Sequence, residues 1–572
     1  MSVTVAQSRR WHICNYDRQV VLRLAHTLGL FETTACLLIR RGFFTAKAAE
    51  KFLRPALKDL HSPFLMADMR AAVDRINRAI ANGEKILIYG DYDVDGTTAT
   101  VILKKALEIV GASVSYYIPQ RLIDGYGMRE AAIDQAKVGG YQLIISVDCG
   151  IRAHAVVEYA HNLGIDVIIT DHHLPEDGLP MAVAILNPKR DDCNYPEKNL
   201  AGCGVAFKLA QALLTERGYV DQLVGLLKIA AIGTIADIVP LVGENRIIAK
   251  CGLAGLARPD NIGLRALLEV AGVSGRTVTC YDIGFRIAPR INAVGRMGGA
   301  SAAVELLSST DMQTAIRLAR EMNEQNTARQ RTEADIIEEI MAQLETNTGL
   351  AEERVIVLAG ERWHRGVIGI AASKVVERIH RPALVISIED GIGYGSGRSI
   401  KEFPLLEALN SCQELFERYG GHSHAAGVTI RAERISELRQ RLNDFAQKVI
   451  SDEDLIPALE IDAELSFAEI NPDLMREISV LEPFGAANPV PTFLAEDVCI
   501  VEGPYVLRDR HLKFRLAHRG HTVDAIWWGA VGQLENFPQT GLMQVVFSLG
   551  ESNYNAPTQV QIIIKDMRSK GS

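Results

Sequence analysis

Residues 86–96 read ILIYGDYDVDG: four apolar residues run straight into a turn that carries Asp91, Asp93 and Asp95. The same transition recurs at 143–147, where an apolar run meets Asp148 of DCG, and at 167–170, where another meets Asp171, His172 and His173. A helical-looking apolar run at 226–232 leads into GTIADIVPL, with Asp237 in the turn. The first three runs are short, β-branched and separated by helical stretches, the pattern of buried parallel strands in a doubly wound α/β sheet. Ligands of such sheets gather at the carboxyl ends of the strands, so these acids and imidazoles are expected to converge on one crevice. So many carboxylates cannot be crowded together without cations between them. Oxygen-rich ligation with one or two imidazoles suits Mn or Mg better than Zn. A lone Asp-rich turn is more often a solvated loop; four such turns at matching positions indicate a two-metal hydrolase.

These motifs also carry a family resemblance. DYDVDG, SVDCG, TDHH and GTIADIVPL resemble the successive motifs of the DHH phosphoesterase superfamily, and GGHSHAAG at 420–427 resembles the signature of its companion DHHA1 domain. YIPQRLIDGYG, LAGCGVAFKL, PRINAVGRM, WHRGVIGI, GSGRS and LEPFGAANPVP follow in the order of the bacterial RecJ family, and the likeness covers nearly the whole chain. The resemblance implies a 5′-to-3′ exonuclease specific for single-stranded DNA that releases 5′-mononucleotides in DNA repair and recombination. It further implies two divalent ions, Mn or Mg.

The chain has 572 residues, 48 % of them hydrophobic, enough for three or four domains. A helical lead-in is expected over 1–80, with an amphipathic stretch at 69–81, followed by a DHH domain over 81–305. Residues 311–346 contain neither Gly nor Pro and predict one long helix; with 306–348 taken as the connector, it leads to an α/β DHHA1 domain over 349–455. Beyond the acidic stretch SDEDLIPALE, alternating segments at 511–516, 522–527, 543–549 and 559–564 predict an all-β module, of OB type by the resemblance, over 460–572. There Phe514, Trp527 and Trp528 are candidate base-stacking residues, each with the core as its commoner place.

Lys and Arg number 61 against 70 Asp and Glu, a net charge of −9 that argues against a nonspecific nucleic-acid binder. The metal cluster would absorb several of those acids, and binding depends on where the basic groups lie. Nine cysteines with no CxxC pair, as at Cys36, Cys251 and Cys499, are expected to be buried thiols in a reducing compartment. No apolar run reaches the roughly 18 residues a membrane span needs, so a cytoplasmic protein without a membrane partner is expected; a monomer is expected separately.

Asp148, alone in its motif, is the candidate to bridge two ions, and the superfamily pattern agrees. By that pattern one ion takes Asp95, Asp148, His172 and Asp237 and the other Asp93 and Asp148, while Asp91 either ligates directly or supports from behind. Asp171 is expected to orient an imidazole. His173 resembles the family's phosphate-contacting histidine. The Gly-rich turn GSGRS offers Ser396, Arg398 and Ser399 as phosphate donors; by resemblance Ser396 and Arg398, with Arg121, hold a 5′-terminal phosphate and His422 contacts a neighbouring one. Arg290, Asn292 and Arg296 would track the backbone, with a structural role an almost equal alternative. The resemblance also suggests single-strand-binding protein and a repair helicase as partners. Two other readings stand beside the exonuclease: a DHH/DHHA1 phosphodiesterase for short oligonucleotides or cyclic dinucleotides, and a noncatalytic replication factor on the same scaffold.

Overall fold

The computed structural model describes residues 9–120, 125, 127–176, 178–297, 299, 301–536, 541–552 and 559–570. These fall into two compact units, Thr45–Thr327 with Val480–Val490, and Met1–Phe44 with Ala328–Ser479 and Pro491–Ser572.

The first unit is built on five parallel strands, β1 (Lys85–Tyr89), β2 (Ser113–Tyr117), β3 (Tyr141–Val147), β4 (Asp166–Thr170) and β5 (Ala184–Leu186). Their order across the sheet is β2, β1, β3, β4, β5, so the chain reverses direction of travel between β1 and β3. A crevice opens at such a reversal, outside the carboxyl ends of the strands. Alternate residues serve two cores: Ile86, Ile88, Leu143, Ile145 and Ile168 face one, and Leu87, Tyr89, Ile144, Val167 and Ile169 the other. Burial on both faces explains why the strands read as unbroken apolar runs. The helices that matter here are α1 (Met69–Asn82), α2 (Val94–Ile109), α3 (Gly202–Glu216), α4 (Leu223–Ala236), α5 (Gly243–Ala254) and α6 (Ala288–Met297). Apart from Lys228 and Thr234, helix α4 is apolar, and it is buried from Leu226 to Ile235, which makes it a core helix.

Helix α7 (Met312–Thr346) is the expected long rod, and the boundary between the units falls within it. In the second unit, β6 (Ile356–Glu361), β7 (Ala383–Glu389), β8 (Ile392–Arg398), β9 (Phe416–His422) and β10 (Ala425–Arg431) form a mixed sheet ordered β9, β10, β8, β7, β6. Helix α8 (Ile368–Ile379) packs against β7 and β8. GSGRS is therefore not a turn: Gly395 to Arg398 lie in the middle strand of this sheet. Gly393, Gly395 and Gly397 put no side chain on one face, where a Cβ would meet Ile386, Val428 and Leu405 at 2.6–2.8 Å. Close packing on one face of a strand is a common reason for glycine there.

The C-terminal strands are Phe493–Leu507, His511–His518, His521–Trp527, Met543–Ser552 and Gln559–Ser569. Pairing of the first with Met543–Ser552 closes them into a five-stranded barrel. Phe514 and Trp527 are core residues of this barrel, whereas Trp528 is 54 % exposed with its ring edge-on to His511. Cys499 on the outer face is exposed, and Cys36 and Cys251 are half-buried, contrary to the expectation of buried thiols; all nine thiols are unpaired. The strand alternates faces, so an apolar neighbourhood in sequence does not bury every member. Near the N-terminus, strand Arg10–Ile13 pairs in parallel with Ala458–Ile461. Among the described residues no single helix is long and apolar enough to cross a membrane.

Candidate metal centre

Each of the four motif turns of the first unit sits at an element end. Asp91, Asp93 and Asp95 follow β1, with Asp93 capping helix α2 by accepting from the Gly96 N–H at 3.0 Å. Asp148 follows β3, Asp171 to His173 follow β4, and Asp237 caps the C-terminus of α4. Oxygens of Asp91, Asp93 and Asp148 lie within 4.8 Å of one another, as do single donor atoms of Asp95, His172 and Asp237, and of Asp148, His172 and His173. His172 Nε2 is 3.2 Å from Asp148 Oδ1 and 3.8 Å from both Asp95 Oδ2 and Asp237 Oδ2. Asp148 thus belongs to two of these groups.

Backbone geometry forces this approach. Asp148 holds φ +61°, in the left-handed region that costs a non-glycine residue energy and is concentrated at functional sites. The N-terminus of α3 supplies two donors to Asp95: Gly202 N–H at 2.6 Å from Oδ2 and Cys203 N–H at 2.8 Å from Oδ1, where the helix dipole favours a carboxylate. A Cβ on Gly202 would sit 2.4 Å from Asp148 Oδ1, and one on Gly96 2.5 Å from the Asp91 side chain. Gly202 and the Cys203 amide had no individual role in the sequence reading. Their signal was present in the small-residue start of LAGCG, where a helix begins without a side-chain cap of its own.

The electrostatics explain what the cluster needs. Burial, then the charges of neighbouring aspartates, push the carboxyls of Asp93 and Asp148 up, and the same causes push Asp237 up to about 9. Divalent cations would remove this penalty, and the carboxylate-rich donor set with one imidazole fits hard or borderline ions of the Mn or Mg type. Burial lowers His172, keeping its ring neutral and able to ligate. Burial would lower His173 as well, but its Nδ1 lies 2.7 Å from Asp171 Oδ1 and that carboxylate raises it overall. Asp171 is itself held by the N–H groups of Ile151, His172 and His173.

The other candidates lie elsewhere. Arg290 is half-buried and donates to Asn323 Oδ1 and to the carbonyls of Arg286 and Val270. Those bonds tie it into its own unit, which favours the structural alternative for this residue. Asn292 and Arg296 are half-exposed on α6, and Arg121 lies outside the described residues. In the second unit, Ser396 accepts from Arg398 Nη1 at 3.2 Å, and Arg398 also donates to the Gly397 carbonyl. Arg398 pairs with Ala425, which pairs in turn with His422, so the three share a rung and a face. A Cβ on Gly369, at the start of α8, would meet Ser396 Oγ at 2.9 Å and Arg398 Nη2 at 3.3 Å. Ser399 donates its hydroxyl to the Phe403 carbonyl.

Comparison with known proteins agrees along the whole chain. Residues 85–234 match the DHH family N-terminal domain, 352–448 the DHHA1 domain and 461–566 the RecJ OB domain. The single-stranded-DNA-specific exonuclease RecJ of Bacillus subtilis is 40 % identical over 565 residues, spanning 98 % of this chain and 71 % of that protein. The crystal structure of Thermus thermophilus RecJ in complex with Mn2+ superposes with a TM-score of 0.84 at 30 % identity, over 98 % of this chain and 80 % of that one. Its complex with Mg2+ gives 0.77 at 29 % identity, over 98 % and 79 %. The chain belongs to the RecJ family of single-stranded-DNA-specific exonucleases.

Proposed function

We propose that this chain is a metal-dependent single-stranded-DNA exonuclease that hydrolyses phosphodiester bonds from the 5′ end and releases 5′-mononucleotides. The observation that carries the reading is the acid and imidazole cluster at the strand ends, in a chain that matches RecJ proteins over 98 % of its length. Two divalent ions, Mn or Mg, supply an activated water and steady both oxygens of the in-line displacement when bound. Asp95, Asp148, His172 and Asp237 would hold one ion and Asp93 and Asp148 the other; Asp148 belongs to two of the donor groups, which supports assigning it to both. Asp91 lies with Asp93 and Asp148, which favours direct ligation.

The remaining residues position the strand. With Nδ1 committed to Asp171, which keeps the ring protonated more readily, His173 donates through Nε2 to a phosphoryl oxygen. Arg398 and Ser396, joined to each other on one strand, are proposed to take the 5′-terminal phosphate, and His422 on the same rung a neighbouring one. Asn292 and Arg296 follow the backbone, with Arg290 bracing the helix that carries them. The domains run 1–80, 81–305, 306–348, 349–455 and 460–572 in this reading. The closed barrel favours a polymeric substrate over a dinucleotide. The enzyme works as a cytoplasmic monomer in DNA repair and recombination, beside single-strand-binding protein and a repair helicase.

The test is the product pattern from single strands labelled at the 5′ or the 3′ end, incubated with Mn. Immediate release of a labelled mononucleotide from the 5′ end is expected. Release first from the 3′ end, or cleavage confined to dinucleotides, would overturn the reading.

A further inference from the structure

We propose that Tyr281 and Phe285 form a base-stacking platform for the single strand, in line with the metal centre; the proposal rests on the exonuclease reading. Their rings are stacked on each other, with centroids 4.6 Å apart and planes 27° apart, yet they are 61 % and 68 % exposed. Two large rings stacked on each other and mostly exposed to water are an unusual use of aromatic side chains.

Their position gives the exposure a purpose. Cys280–Asp282, the wider turn Ile283–Ile287 and α6 follow one another without a break and make one helical run from Cys280 to Met297. Such wide turns inside helices are common at functional sites. Ile283, Ile287, Ile291 and Val294 bury one side of the run. Tyr281, Phe285, Asn292 and Arg296, spaced by four, seven and four residues, lie along the other. At the far end Gly295 abuts the metal-bearing turn, where a Cβ would stand 2.3 Å from the Tyr92 carbonyl. From Gly295 back to Phe285 is ten residues, or about 15 Å of helix, the reach of a few nucleotides.

The chemistry of the patch selects bases. Asp282 is paired with Arg276 at 2.5 Å and has Arg286 at 3.6 Å, so one carboxylate faces two guanidinium groups and one positive charge is left over beside the rings. The rings themselves are flat and apolar, and Arg286 and Arg296 on the same run place positive charge where the phosphates beside a stacked base would lie. Two rings offer roughly 150–250 Å² each, far less than the roughly 800 Å² per partner of a stable protein interface. They match the face of one or two bases, and stacking of that kind is indifferent to sequence.

The experiment uses the full chain and a set of 5′-phosphorylated single strands, each with one abasic residue moved stepwise from the 5′ end. Affinity is read by fluorescence anisotropy and digestion is followed with Mn. For the unsubstituted chain, an abasic residue a few nucleotides from the end should weaken binding, and Tyr281→Ala with Phe285→Ala should raise the Kd of an intact strand about tenfold. The position-specific abasic penalty should vanish in that double variant. Phe285→Leu keeps the apolar volume without the ring and should lose part of the same penalty. If the abasic profile of both variants matches that of the unsubstituted chain, which still digests single strands, the platform is wrong. If the unsubstituted chain digests no single strand, the exonuclease reading itself fails.

Discussion

The metal cluster and the strand carrying Ser396 and Arg398 both gather polar side chains, but they are held in opposite ways. The cluster is buried and over-determined: Asp95 takes two backbone donors, Asp171 takes three, and Asp148 is fixed in a left-handed conformation. Its carboxyls repel one another, so its geometry is bought with strain that only cations relieve. The Ser396 and Arg398 strand is half-exposed and relaxed, with Arg398 bonded to its neighbour Ser396 and to a main-chain carbonyl. On the proposed roles, the groups that do chemistry would be fixed before the substrate arrives, whereas those that recognise an end would keep room to close on it.

The largest effect should come from removing the shared carboxylate. Asp148→Ala should lower Mn-dependent hydrolysis by about a thousandfold or more, since catalytic units fail as units. In chelator the same variant should melt at or above the unsubstituted protein, because a buried acid raised by its neighbours has been deleted. Hydrolysis rate and melting temperature check both halves. Substantial metal-dependent activity in Asp148→Ala would mean that the cluster is not the catalytic centre.

Gly202→Ala presses on the same cluster without removing any of its carboxylates or imidazoles. The new methyl would stand 2.4 Å from Asp148 Oδ1, so either the carboxylate or the start of α3 must shift. Disturbing groups that orient ligands typically costs about 10- to 100-fold in metal affinity. Mn titration by calorimetry should show a loss of that order, and unchanged affinity would mean that the site tolerates displacement and is less rigid than the contrast requires.

Arg398→Ala probes the softer region. Hydrogen bonds to charged groups contribute about 1.5–3 kcal/mol, so preference for 5′-phosphate over 5′-hydroxyl ends should fall about 10- to 100-fold while Mn affinity stays the same. Comparing kcat/KM on the two kinds of end decides it. An unchanged preference would place the terminal-phosphate pocket elsewhere and leave the two regions without a division of labour.

The two regions also differed in how far the sequence revealed them. Strands β1, β3 and β4 were legible because a sheet buried on both faces demands continuous β-branched runs, and the acids stand where those runs stop. The clamp on Asp95 was hidden, since main-chain donors leave no residue signature beyond the small side chains of Gly202 and its neighbours. GSGR reads as a turn because glycine is the commonest turn residue; only the residues across the sheet show why the strand needs it. The long barrel strand Phe493–Leu507 was missed for a related reason. Gly503 and Pro504 look like a chain break, yet the pairing shifts register around them and continues, with Gly503 at φ +98° against the Lys513 carbonyl. Tyr281 and Phe285 gave no signal at all, because an exposed ring and a buried one are spelled alike.

The smallest effect belongs to the barrel, the region furthest from chemistry in its demands. Phe514 and Trp527 are part of its core, so their truncation would unfold it and report nothing on recognition. Trp528 is different: it is 54 % exposed and touches His511 edge-on, an arrangement worth little to stability. Replacing it by Ala should leave the melting temperature nearly unchanged. If the barrel grips bases, losing one stacking ring should cost about 1 kcal/mol, roughly fivefold in affinity, for strands long enough to reach it. Hydrolysis of the shortest strands should be affected far less, since the ring lies outside the metal cluster. Equal affinity of Trp528→Ala and the unsubstituted chain for a long strand would remove this residue from the binding surface, while parallel losses on long and short strands would assign it to the cluster side of the contrast.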